Sequence, residues 1–136
     1  MIDTFISGTN DFNFISEHFN VVKHITISPL RSENWVHDIL ECGSVNFQTL
    51  SIFGDPLKLI SFTLESITTL FEKLPSPCRI KLKVNTTEFE LAEQLLTNVF
   101  DGPPTGRFFG KKSLILYSTD EPMLGVYFID GKWFVI

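Results

Sequence analysis

Apolar residues in the first 27 positions recur with two different periods. Phe12, Ile15 and Phe19 are spaced as on one side of a helix, which predicts a short helix there. Residues 21–27, VVKHITI, are rich in β-branched side chains and predict a strand. We expect that strand to end before Ser28-Pro29, because proline cannot donate a hydrogen bond to a neighbouring strand.

The stretch 32–42 has the pattern of an amphipathic helix. Ser32 can cap its first turn, and Gly43 can end it. Its apolar side consists of Trp35, Val36, Ile39 and Leu40. Residues 44–53 then alternate between apolar and polar side chains and predict a second strand.

Residues 55–74 allow two interpretations. Asp55 as cap, with Pro56 in the first helical position, is a helix start signal, and the apolar residues keep a helical period as far as Leu74. The segment 57–62, LKLISF, could instead be a strand, with the helix starting near Thr63. We favour the single longer helix.

The segment 78–84, CRIKLKV, alternates strictly between apolar and basic residues. One face would carry Ile80, Leu82 and Val84, and the other Arg79, Lys81 and Lys83. A strand with one polar face is typical of antiparallel sheets and of sheet edges, so we expect an antiparallel or edge strand here.

The second half of the chain continues with a helix and then only strands. Thr87 and Glu90 have the spacing of a capping box, which predicts a helix that follows them. Residues 112–118 and 123–129 predict strands, and Asp130-Gly131 predicts a tight hairpin into a last strand. The chain is thus α/β in front and an antiparallel meander at the back. We predict one globular domain, residues 1–136, with a two-layer α+β fold, an antiparallel C-terminal β-meander and about three to four helices.

Charge is distributed unevenly along the chain. It has 11 Lys and Arg against 16 Asp and Glu, a formal net charge of −5. Residues 1–68 contain 3 basic and 8 acidic residues, while the second half has 8 of each, so the whole excess lies in the first half. A nucleic-acid-binding protein is expected to have a basic footprint. We therefore predict no nucleic-acid partner and favour a cationic one.

The loop 102–113, GPPTGRFFGKKS, comes closest to a known chemical motif. A phosphate-binding P-loop needs a glycine where Thr105 stands and a serine or threonine where Lys112 stands. The stretch also follows a predicted helix and precedes a predicted strand, the reverse of the order that a P-loop requires. We exclude a P-loop, but Phe108 and Phe109 make this long loop a candidate contact surface.

Signatures of other functional classes are missing from the sequence. It has no GxSxG motif, and Cys42 and Cys78 belong to no CxxC pair and have no neighbouring histidine. The histidines lack metal-ligand spacing, no apolar stretch approaches the ~20 residues of a membrane span, and the N-terminus lacks the basic region of an export signal. We expect a non-enzymatic, cytoplasmic protein with no membrane partner, no cofactor, no metal and free thiols.

The outward side of the helix 32–42 is the first candidate binding surface. Glu33, His37 and Glu41 follow one another at four-residue steps and therefore line up, with Asp38 beside them. Aligned carboxylates suit a cationic partner, although a plain solvated helix face has the same pattern. The residues we expect to contact a partner are Glu33, His37, Asp38, Glu41, Asp55, Phe108 and Phe109.

The acid-rich helix SENWVHDILE and the ending MLGVYFIDGKWFVI, in a small acidic chain, resemble the small bacterial immunity proteins. Those proteins neutralise toxin domains delivered by neighbouring cells, as in contact-dependent growth inhibition. The resemblance implies a cytoplasmic inhibitor that binds its cognate toxin, a basic nuclease, as a monomer in the heterocomplex. Carboxylates would then replace nucleic-acid phosphates in the toxin's cleft.

Two other classes of protein remain open from the sequence. A small acidic secretion chaperone would expose apolar grooves and form a homodimer, which light scattering detects. A small hydrolase or isomerase would have a deep pocket with two carboxylates, or His37 beside Cys42 or Cys78.

Overall fold

The computed structural model of the protein describes residues 3–6, 24–27, 34–41, 47–74, 78–100, 112–119, 121–129 and 132–135. Within these segments lie seven strands that form one sheet. They are β1 (Asp3–Ile6), β2 (His24–Ile27), β3 (Thr49–Phe53), β4 (Cys78–Val84), β5 (Lys112–Ser118), β6 (Glu121–Ile129) and β7 (Lys132–Val135).

In the described part of the chain, four α-helices and one 3-10 turn lie between these strands. Helix α1 (Trp35–Glu41) connects β2 to β3, and helices α2 (Pro56–Leu59) and α3 (Leu64–Lys73) connect β3 to β4. The 3-10 turn (Thr86–Glu88) and helix α4 (Phe89–Phe100) follow β4.

The strands lie side by side in the order in which they occur in the chain. Strands β1 to β5 are parallel, and β6 and β7 continue the sheet antiparallel. The prediction of a two-layer α+β fold with antiparallel C-terminal strands is therefore confirmed, with parallel α/β connections in front and an antiparallel pair at the end.

One side of the sheet is a continuous apolar surface. The register places Ile25, Leu50, Ile80, Leu114 and Val126 in one row across five strands. These side chains are at most 1% exposed, and they belong to the same core cluster as buried residues from all four helices. The helices therefore share this side of the sheet.

The strand order explains why the helices share one side. Connections between parallel strands are almost always right-handed. When each new strand is added on the same edge of the sheet, right-handed connections place every helix on the same side. The opposite side can then carry polar residues, as the alternating burial of β2, β3 and β4 shows.

The expectation for the strand 78–84 is wrong in its position and confirmed in its alternation. Ile80, Leu82 and Val84 are buried, whereas Arg79 is exposed. Yet β4 is central and parallel to both neighbours, β3 and β5. Its polar face reflects the position of the described helices on the other side of the sheet, because a parallel strand covered on one side alternates just as an antiparallel one does.

The single long helix predicted for 55–74 is also wrong. Asp55 and Pro56 do start a helix, but α2 ends at Leu59, and Ile60 and Phe62 turn into the core with exposed fractions of 5% and 8%. The chain restarts as α3, capped by Thr63 as the alternative interpretation placed it. The segment between the two helices is not a strand.

Other local predictions have mixed outcomes. The capping box at Thr87 is wrong, because Thr87 lies inside the 3-10 turn. Ile129 pairs with Lys132, so β6 and β7 form the predicted hairpin. Four further predictions fall outside the described part of the chain: the helix around residues 12–19, the Ser32 cap, the Gly43 stop and the turn at 130–131.

Candidate functional site

Helix α1 presents the candidate acidic surface, and its apolar side fixes its orientation. Trp35, Val36 and Ile39 are buried in the core, at most 3% exposed. The opposite side carries His37 and Glu41, whose side chains are 67% and 60% exposed. The imidazole Nε2 of His37 lies 3.0 Å from a carboxylate oxygen of Glu41, one helical turn away.

Trp35 joins α1 to the connection between α2 and α3. Its indole Nε1 donates a buried hydrogen bond of 2.9 Å to the carbonyl oxygen of Leu59. Its ring meets the edge of Phe62, with ring centroids 5.9 Å apart and planes at 88°. These two contacts hold α1 at one rotation, so that His37 and Glu41 face outward.

The predicted site residues that the structure describes lie on two different helices. Asp38 lies half-buried beside His37 and Glu41 on α1. Asp55 is exposed and belongs to α2, where its carboxylate accepts a 2.9 Å hydrogen bond from the amide of Leu57 as the helix cap. The predicted residues Glu33, Phe108 and Phe109 fall outside the described residues.

The helices carry far more negative than positive charge. We call the four helices, the Asp55 cap and the 3-10 turn the helix layer. Its described residues include two lysines, Lys58 and Lys73, and eight carboxylates: Asp38, Glu41, Asp55, Glu65, Glu72, Glu88, Glu90 and Glu93. Glu72, Glu90 and Glu93 lie on α3 or α4 but belong to the second half of the sequence. The negative charge of the described residues is therefore concentrated in the helix layer and not in one half of the sequence.

On the side of the sheet that faces away from the helices, β4 carries positive charge. Arg79, Lys81 and Lys83 project from β4 on this side, and we call these three residues the cationic face. The register sets Arg79 beside Thr49, and Lys81 beside Ser51. Hydroxyl groups therefore flank Arg79 and Lys81 along β3, whereas Lys83 lies beside Phe53.

Tyr117 supports two of these cations. Tyr117 lies next to Lys83 in register and is 9% exposed. The ammonium groups of Lys81 and Lys83 each lie 5.7 Å from the centre of its ring, within cation–π range. Burial, and then the neighbouring charges of Lys83 and Arg79, lower the pKa of Lys81 below its usual value.

The sequence identified the three cations but not the position of their strand in the sheet. The alternation of residues 78–84 already placed Arg79, Lys81 and Lys83 on one face. What the sequence did not show was that β4 is central, which puts that face in the middle of the sheet. The available signal was the series of strand and helix alternations before β4, which is typical of a parallel sheet.

Cys78 is buried in the core, and the half-buried Lys112 bonds to a helix. Burial raises the pKa of the Cys78 thiol to about 12, and the nearby Lys112 charge opposes that shift. Lys112 donates a 2.8 Å hydrogen bond to the carbonyl oxygen of Phe71 near the end of α3. A protonated, buried thiol is a poor nucleophile and a poor metal ligand.

The described residues contain neither a metal-site cluster nor a membrane-spanning helix. Among them, no three His, Cys, Asp or Glu side chains come together as a metal site. Across the same part of the chain, every helix is too short or too polar to cross a bilayer.

The chain matches no protein-family model, no curated protein and no solved structure.

Proposed function

We propose that this protein is a non-enzymatic inhibitor of the immunity-protein type, which binds a cationic partner protein through its helix layer. The partner class is a toxin domain with a basic, nuclease-type cleft, bound in the cytoplasm by one copy of this chain. The observation that carries the proposal is the gathering of eight carboxylates and only two lysines on the described helix layer.

The outer side of α1 is the best-defined part of this surface. His37 and Glu41 are well exposed on a helix that Trp35 anchors in the core. A rigid acidic surface loses little conformational freedom on binding, which favours affinity. Its field also attracts a basic partner before contact and speeds association.

Cys78 is unsuited to thiol catalysis. Its sulfur is buried, and a pKa near 12 leaves it protonated at neutral pH. A cysteine nucleophile requires the thiolate and an accessible position. Charge complementarity with a partner needs no such group.

The proposal is tested by co-expressing this protein with the C-terminal domain of the polypeptide encoded immediately upstream. We expect that domain alone to arrest growth and this protein to restore it. Glu41→Lys should reduce the rescue, because it places a positive charge on the docking surface. Glu121→Lys makes the same change of net charge on an exposed position of β6 and should rescue like the unmodified protein.

Two results would contradict the proposal. Absence of growth arrest by the upstream domain would remove the toxin partner. Equal rescue by Glu41→Lys and Glu121→Lys would show that α1 does not contact it.

A further inference from the structure

Three leucines are exposed on the helix layer. Leu57 on α2 is 59% exposed, Leu64 on α3 is 44% exposed and Leu91 on α4 is 40% exposed. Each of them lies in the first turn of its helix. Single exposed leucines are common on protein surfaces, so the meaning of these three depends on whether the fold brings them together.

The topology places the three first turns at the same end of the helix layer. Helix α2 begins shortly after β3 ends, and α4 begins shortly after the adjacent parallel strand β4 ends, so both start at the carboxyl edge of the sheet. Helix α3 runs back to the start of β4, so its first turn is the end of that helix nearer to the carboxyl edge. Helices α2 and α4 also pack against each other.

The rotation of α4 turns Leu91 toward α2. Ala92 and Leu96 face the core and are 0% exposed, so the helical period places Leu91 on one side of α4 and Glu93 on the other. Right-handed connections fix which side is which, and the side of Leu91 is the one nearer to α2 and α3. We call the three exposed leucines the leucine patch.

Negative charge surrounds the leucine patch. Every leucine of the patch has an exposed carboxylate within two positions of the sequence. These carboxylates are Asp55, Glu65 and Glu90. An apolar patch with an anionic rim is complementary to an apolar side chain with cations around it, whereas a second copy of this chain would bring its own carboxylates against the rim.

We propose that the leucine patch is the apolar centre of the docking surface, and that the partner protein inserts an apolar side chain flanked by lysine or arginine. The inference rests on the proposed function, from which it takes the cationic partner, and it names the segment which that partner must present. The inserted side chain covers the leucines, and the flanking cations pair with the carboxylates of the rim. Interfaces have the same arrangement in general, with an apolar centre and a polar rim.

The experiment titrates isotope-labelled protein with two pentapeptides at low ionic strength and follows backbone amide shifts by NMR. One peptide has a leucine between two pairs of lysines, and the other has a serine in its place. We expect the largest shifts at residues 55–59 and 88–92. The leucine peptide should bind about tenfold more tightly than the serine peptide, because only its central side chain can bury apolar surface against the patch.

Substitutions in the protein locate this preference. Leu91→Ser should remove most of the difference in affinity between the two peptides, because it deletes apolar surface that the central leucine covers. The matched control is Met123→Ser, which replaces a side chain of similar exposure, 38%, on β6 and should leave the difference unchanged. Both positions are exposed, so neither substitution disturbs the core.

Three results would overturn the proposal. The first is equal affinity for the two peptides, and the second is an equal effect of Leu91→Ser and Met123→Ser. The third is a homodimer in light scattering that Leu57→Ser dissociates, because a second copy would then cover the patch. No toxin is present in these measurements, so their failure is distinct from a failure of the growth-rescue test.

Discussion

Replacing Trp35 by phenylalanine tests how the structure holds the acidic helix in place. The substitution removes the indole N–H, which donates the buried 2.9 Å hydrogen bond to the Leu59 carbonyl. It also removes part of a ring that is 0% exposed and packs edge-on against Phe62 at 5.9 Å.

The magnitude follows from these two losses. A buried carbonyl left without its partner costs about 1–3 kcal/mol. The smaller ring leaves a gap of a few heavy atoms, which adds roughly 1–2 kcal/mol. We therefore expect Trp35→Phe to lower the free energy of unfolding by about 3 kcal/mol, a large part of the ~5–15 kcal/mol typical of a domain.

Urea unfolding followed by far-UV circular dichroism measures this change. Leu57→Ala is the control, because Leu57 is 59% exposed on α2 and its truncation should change the free energy of unfolding by less than about 0.5 kcal/mol. A loss below about 1 kcal/mol for Trp35→Phe would refute the reasoning, since the hydrogen bond alone accounts for that much.

Three further predictions concern separate parts of the molecule. Thr63→Ala should cost about 1 kcal/mol in unfolding experiments, because it removes the hydrogen bond that the Thr63 hydroxyl accepts from the Ser66 amide, whereas Thr63→Ser should retain most of the stability. In a Cys42→Ser background, iodoacetamide at pH 8 should label Cys78 only after unfolding. Because folding raises the pKa of Cys78 from 9.0 to about 12, the free energy of unfolding should fall as the pH rises through that interval. Rapid labelling of the native state would contradict both expectations. Glu41→Gln should change the free energy of unfolding by less than about 0.5 kcal/mol, because the contact between Glu41 and His37 is exposed. A larger loss in thermal unfolding would mean that this pair stabilises the fold.

Local signals predicted most elements because the residues that decide them are close in the sequence. The apolar side of α1 and the alternation of β4 are properties of neighbouring residues, and both are confirmed. The break between α2 and α3 was missed because Leu57, Ile60 and Leu64 keep a helical period across it, while the burial of Phe62 outside a helix is decided by the core. Thr63 and Ser66 were the local signal for a new helix start.

The position of β4 could not be predicted from its own residues. Alternation of Arg79, Lys81 and Lys83 with apolar residues is the same in any strand with one covered face. Which strands lie beside it depends on connections between distant segments. The distribution of charge in space depends on these connections too. Helices α3 and α4 add carboxylates of the second half of the sequence to the helix layer, so the charges of the two halves do not stay apart in the fold.

The proposed docking of the helix layer onto a cationic toxin is tested most directly by the association rate with the upstream-encoded domain. Raising the salt concentration from about 0.01 M to 0.15 M shortens the screening length from ~30 Å to ~8 Å. We expect the association rate to fall by roughly tenfold or more over this range, and Glu41→Lys to lower it at low salt. An association rate that is independent of salt and of Glu41 would contradict the account.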